Sequence, residues 1–184
     1  MASLYDLIPR VAPYLPRCPD AILRQALREV MHDFCASTHA WRETLEIDTV
    51  ASQTEYTMSP SGNATICHVR DVRVDDMPIR ARWNEEDTLI LTSSYPAGKA
   101  ITVDVALIPD YANATYPDAL IERWGVGVVA GVLARLQSMT AEPWFAQSWE
   151  INERKYNDEV ARAKMINMVG KTGQPKPPVT WIYG

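Results

Sequence analysis

The chain has 184 residues, 47% of them hydrophobic, and a formal net charge of −5. That length suits one domain with at most an inserted sub-domain, and that apolar content excludes global disorder. The acidic balance argues against a phosphate-neutralising surface, because non-specific nucleic-acid affinity comes from clustered Lys and Arg.

Residues 3–17, SLYDLIPRVAPYLPR, hold three prolines, which restrict any helix there to one or two turns. Cys18, Cys35 and Cys67 are odd in number and widely spaced, which reads as reduced intracellular thiols rather than a disulfide framework. No charged n-region leads an apolar h-region, so no secretory signal is expected. A helix is predicted over 19–37. Pro19 suits its first turn, Asp20 complements its dipole, and Ile22, Leu23, Ala26, Leu27, Val30 and Phe34 form one apolar face.

From Trp41 the hydrophobic period becomes two. WRETLEIDTV turns Leu45 and Ile47 inward and Glu46 and Asp48 outward. Glu55–Met58 is predicted as a short strand, ended by the turn stretch SPSGN at 59–63. Residues 65–74 alternate Val72 and Val74 with Arg73. Asp75–Asp76 then turns tightly into a strand over Met77–Arg82. TLILTS at 88–93 and AITVDVALIP at 100–109 complete an antiparallel module of five or six strands over roughly 42–108.

Helical periodicity returns at Pro117 and Asp118, a start signal. PDALIERWGVGVVAGVLARLQSM is apolar on nearly all sides and should be surrounded by other elements. Its most apolar run, 125–136, meets Arg135 far short of the ~20 residues of a membrane span, so a buried core helix is expected and no membrane contact. Gly125, Gly127 and Gly131 each cost about 1 kcal/mol in a helix relative to Ala, which suggests close helix–helix approach. AEP at 141–143 breaks this helix. A last one is predicted over 144–168, with Phe145, Trp149, Tyr156, Val160 and Ala163 on one stripe and Glu150–Arg154 and Asp158–Arg162 as outer i,i+4 pairs. The expected fold is α+β: a helical core of three main helices (1–40 and 110–169) interrupted by an inserted antiparallel β-module (41–109), with an extended C-terminal arm (170–184).

Catalytic signatures are missing. The sequence contains no GxSxG, Walker A, GxGxxG in a strand-to-helix turn, or HExxH. A zinc site can be drawn from His32, Cys35, His39, Cys67 and His68. Cys35, however, falls on the apolar side with Phe34 and Met31, where free cysteine acts as a small hydrophobe. Glu85–Glu86 reads as a solvated loop. No catalytic residue, metal or cofactor is expected. Two features ask for a partner. Trp83 lies in the polar hairpin RARWNEED. The arm stiffens at Lys176, Pro177 and Pro178 and then turns strongly β-prone through Val179, Thr180, Trp181, Ile182 and Tyr183. An extended segment of that kind suits strand addition or insertion into a partner's groove.

Residues 14–165 resemble the head-to-tail adaptor (head-completion, connector) proteins of tailed bacteriophages. The resemblance is carried by LPRCPDAILRQALREVMHDFCASTHAW, the Tyr56…Pro60 strand and turn, VRDVRVDDMPI, YPDALIERW, GVVAGVLARLQSM, EPWF and the Tyr156…Ala161 helix, in that order. Two positions depart from it: Asp75–Asp76 stands where Asp-Gly is expected, and Asp33 where Glu is frequent. The resemblance implies a non-enzymatic virion protein, made in the host bacterial cytoplasm. Such proteins form a ring of copies beneath the portal protein, commonly twelvefold, in the head–tail neck. Double-stranded DNA passes through the channel without specific binding, and tail or nozzle proteins dock below. In some relatives the C-terminal arm binds the portal, which here assigns Pro177, Pro178, Val179, Thr180, Trp181, Ile182 and Tyr183 to that contact. Trp83, Gly127 and Gly131 are candidates for a subunit or tail interface. A competing reading makes the β-module a tail-component or carbohydrate-binding surface through Trp83 and Tyr95. A more distant one is a cell-wall hydrolase or metal-dependent nuclease.

Overall fold

The structure, a computed structural model, describes residues 1–84 and 87–168. In chain order the elements are β1 (Ala2–Ser3), α1 (Ile8–Val11), α2 (Asp20–Thr38), β2 (Trp41–Asp48), β3 (Glu55–Thr57), β4 (Ala64–Val74), β5 (Met77–Pro78), β6 (Ala81–Trp83), β7 (Thr88–Leu91), β8 (Ala100–Pro109), β9 (Thr115–Tyr116), α3 (Asp118–Gln137) and α4 (Trp149–Met168). The fold is α+β, and its sheets are antiparallel throughout.

The proline-rich start forms 3-10 turns at Leu4–Leu7 and Ala12–Tyr14 on either side of the one-turn α1. Its apolar residues Leu4, Leu7, Val11 and Leu15 are all buried. The two-residue strands β1 and β9 pair antiparallel, and the Leu4 amide donates to Ala114 O at 2.8 Å. That pairing ties the N-terminal turns to the entry of α3 and has no sequence signal.

Helix α2 runs within one residue of its predicted bounds and buries Leu23, Ala26, Leu27, Val30, Met31, Phe34 and Cys35. It stops at His39, whose φ of 53° is left-handed, and the His39 amide donates to Cys35 O at 2.8 Å. Helix α3 is buried nearly all round, as its composition requires. A Cβ at Gly131 would lie 2.7 Å from both Tyr156 of α4 and Val30 of α2, and one at Gly127 would lie 2.9 Å from Glu159 Cβ. These two positions let α3 nestle between its neighbours.

Helix α4 starts at Trp149, not at 144. Residues 139–148 instead form successive turns, with Phe145 N–H donating to Glu142 O and Ala146 N–H to Gln137 O. Ser148, a residue type favoured before a helix, immediately precedes it. Phe145 is consequently off the apolar stripe and exposed, whereas Trp144 is buried. Arg162 pairs with Glu159 at 3.3 Å rather than with Asp158.

The β-module has seven strands in two sheets, ordered β2-β8-β4-β5 and β3-β7-β6. The predicted strand over 77–82 divides. Pro78 faces Arg73 at a position that needs no ladder N–H, and Ile79 N–H still donates to Val72 O at 2.9 Å. The chain then crosses to the other sheet, where Ala81–Trp83 pairs with β7. The β4–β5 hairpin turns on Asp75 (φ 48°) and Asp76 (φ 64°), the left-handed pair that a two-residue hairpin of type I′ needs. The buried residues of the helices and of both sheets belong to one continuous cluster, joined through aromatic contacts such as Trp41–Tyr116 at 5.5 Å and Phe34–Trp124 at 5.6 Å. No helix among the described residues is long and apolar enough to cross a membrane.

Candidate functional site

Strand β4 departs from simple alternation. Its register against β8 slips between Ile66 and His68 and again between Val69 and Asp71. Each slip is a β-bulge that inserts one extra residue, Cys67 and then Arg70. Burial therefore falls on Ile66, Val69, Val72 and Val74, and the intervening pairs Cys67–His68 and Arg70–Asp71 stay out of the core. Unbroken alternation from Val74 and Val72 would have turned Arg70 and His68 inward.

In the neighbouring register Arg42 of β2 and His68 of β4 both pair with Ala106 of β8, which lines them up across the sheet. His68 stacks on His39 from the end of α2, with ring centroids 5.2 Å apart and an interplanar angle of 19°. The last turn of α4 closes over this group through Asn167. Its Oδ1 accepts from Arg42 and its main-chain oxygen accepts from Arg70 at 2.9 Å, while its Nδ2 donates to Thr38 O. One side chain and one carbonyl thus join the C-termini of α2 and α4 to two strands. A guanidinium at a helix C-terminus also complements the dipole there. This junction is the root of the segment that follows Met168.

The electrostatics of the junction follow from partial burial among like charges. Burial, then Arg70, Arg42 and Lys164, hold the His39 pKa below its ordinary value. Burial, then His39 and Arg70, do the same for His68. Burial and the charge of Arg70 push Arg42 down to about 10, against the opposing pull of Asp104. Cys35 is fully buried and its thiol is pushed up to about 12 by desolvation, so it stays protonated and unreactive. Burial raises Cys67 to about 11, and its Sγ donates to Ala106 O at 3.3 Å.

The structure divides the residues from which a zinc site was drawn. His32 stacks on Tyr111 at 4.1 Å, His39 on His68, and Cys35 is enclosed in the core. Among the described residues no three His, Cys, Asp or Glu side chains form a group able to hold a metal ion. Trp83 and Tyr95 are both half-buried against the core cluster, so neither stands free on an open face as a sugar platform would require. Trp83 Nε1 is buried and has no hydrogen-bond partner among the described residues. Gly127 and Gly131 face the chain's own α2 and α4, so their close approach is made within the subunit and not between subunits. Pro177, Pro178, Val179, Thr180, Trp181, Ile182 and Tyr183 lie outside the described residues, as do Glu85 and Glu86.

Sequence reasoning missed the junction. Arg42, Arg70 and Asn167 belong to three elements far apart in the chain, and the only local signal was the broken alternation at 66–71. No family model matches the chain, and no curated protein matches it.

Proposed function

We propose that this chain is a non-enzymatic structural subunit of the head–tail neck of a tailed phage: an adaptor that rings the channel beneath the portal and presents segment 170–184 to it. The observation that carries this reading is the latched junction at Asn167. It holds the last turn of α4 to Thr38, Arg42 and Arg70, and so gives the following segment a fixed root on the body of the protein. An extended β-prone segment on a fixed root gains affinity by contacts along its length, at an ordering cost met on assembly. The arrangement of α2, an inserted β-module, and α3 and α4 closing back on α2 also agrees with the layout on which the sequence resemblance rests. A net charge of −5 per subunit suits a collar through which a DNA duplex slides without being held.

The test is co-sedimentation of the full chain with purified portal rings. Binding that is lost on deleting 171–184 supports the proposal. Failure to bind any portal, together with unchanged assembly of the deletion, overturns it.

A further inference from the structure

The junction contains more positive charge than the chain's own carboxylates neutralise. Arg42, Arg70, Arg123 and Lys164 come from β2, β4, α3 and α4. Among the described residues none of them has a carboxylate within salt-bridge distance, and unlike other unpaired cations of the chain they lie close enough together to act on one another and on His39. The carboxylates nearby offset only part of this charge: Asp71 pairs with Arg73 at 2.8 Å, and Asp104, which accepts from Thr44 Oγ1 at 2.7 Å, is one carboxylate acting on both Arg42 and Arg70. Arg42 and Arg70 are held within reach of one residue, Asn167, and each guanidinium has five N–H donors of which Asn167 occupies few. Arg123 and Lys164 are exposed, and their charges bear on Arg42 and His39 respectively.

We infer that this basic seam is a docking site for a short acidic peptide segment of a partner protein, whose carboxylates would bridge the guanidiniums of Arg42 and Arg70 and the exposed charges of Arg123 and Lys164. Guanidinium matches carboxylate in a bidentate fork, so a peptide carrying adjacent Asp or Glu satisfies the unused donors with directional bonds. The chain's own segment 169–184 is a poor occupant, because it carries Lys171 and Lys176 and no Asp or Glu. A long duplex is disfavoured for a different reason. Residues 41–109 hold 11 acidic against 6 basic side chains, the whole of the chain's −5 excess, and this field repels an extended polyanion. A short peptide meets the local field, which dominates within the Debye length of about 8 Å at physiological salt.

The experiment measures fluorescence anisotropy of a labelled short poly-glutamate peptide against the full chain. It uses the wild type, R123Q/K164Q, and R154Q/K155Q as a control elsewhere on α4. Arg123 and Lys164 take no part in the Asn167 latch; Arg123 also lies over the Trp124 ring, 5.1 Å from its centroid, so circular dichroism and the urea midpoint verify that the double variant keeps the fold. Saturable, salt-sensitive binding that weakens about tenfold in R123Q/K164Q and is unchanged in R154Q/K155Q supports the inference. Equal binding by all three proteins overturns it, as does absence of binding by the wild type. Tighter binding of a duplex oligonucleotide, lost in R123Q/K164Q, would reassign the seam to nucleic acid. The portal test reads segment 171–184 alone, so either result leaves the other standing.

Discussion

Single residues show how propensity and packing oppose one another. Alanine is favoured over glycine in a helix by about 1 kcal/mol. At Gly131 that gain is outweighed, because a Cβ would lie 2.7 Å from the buried Val30 Cγ1 and from the Cδ2 of the half-buried Tyr156 ring, so both must shift. Overpacking of this kind costs about 1–3 kcal/mol. Gly131→Ala should therefore lower the urea midpoint with little change in m. The opposite sign is expected in the β4–β5 turn. Asp76 adopts φ 64°, a region that glycine enters without Cβ strain. Asp76→Gly should raise stability by about 0.5–1 kcal/mol in the same titration. Asp75 differs, since its carboxylate holds Lys99 and accepts from the Ala100 amide at 3.3 Å. Replacing it with glycine exchanges those contacts for relief of strain and should give little or no gain.

At the scale of elements, the junction depends on two bulges and one asparagine. Asn167→Ala removes one acceptor from Arg42 and one donor from Thr38 O, and water can replace them only in part; the expected loss is roughly 1 kcal/mol. Its readout is local. Amide exchange should quicken in the last turn of α4, while protection in β4 and β8 is retained. The helices and most strands were legible because their signals are local. Apolar spacing fixed α2, and the all-apolar circumference of α3 announced its burial. The β-module read correctly wherever period two was unbroken, as in β2 and β8. The rest failed for definable reasons. The bulges in β4 carry no glycine to mark them, β1 and β9 are two residues each, and the strand over 77–82 changes sheet between Ile79 and Ala81. The predicted start of α4 is too early because Phe145, four residues before Trp149, mimics helical spacing, whereas in the turns of 139–148 Phe145 is exposed and Trp144 is the buried aromatic. The junction itself is built by contacts between residues up to 129 positions apart, so no window of sequence contains it.

On the scale of the whole molecule, the stacked histidines couple the helical core to the β-module: His39 ends α2 and His68 lies on β4. Burial first, then neighbouring cations, lowers both folded-state pKa values beneath the ordinary value of 6.5. A base whose pKa is lower in the folded state binds fewer protons there than in the unfolded chain. Its stabilising contribution is complete above the unfolded pKa and is lost as pH falls toward the folded one. Stability should therefore decline as pH is lowered below about 6.5, before most carboxylates begin to titrate. Arg42, Arg70 and Lys164 face the pair, so protonation adds positive charge to an already positive junction. The His39→Gln/His68→Gln double variant removes both titrating groups. Urea denaturation of wild type and variant at pH 7.5 and pH 5.5 should show a smaller pH-dependent loss in the variant. An equal loss would place the acid-sensitive groups elsewhere in the fold. If the seam receives carboxylates, the same protonation strengthens the docked complex while it weakens the free subunit, so acidic peptide should protect the wild type most at pH 5.5.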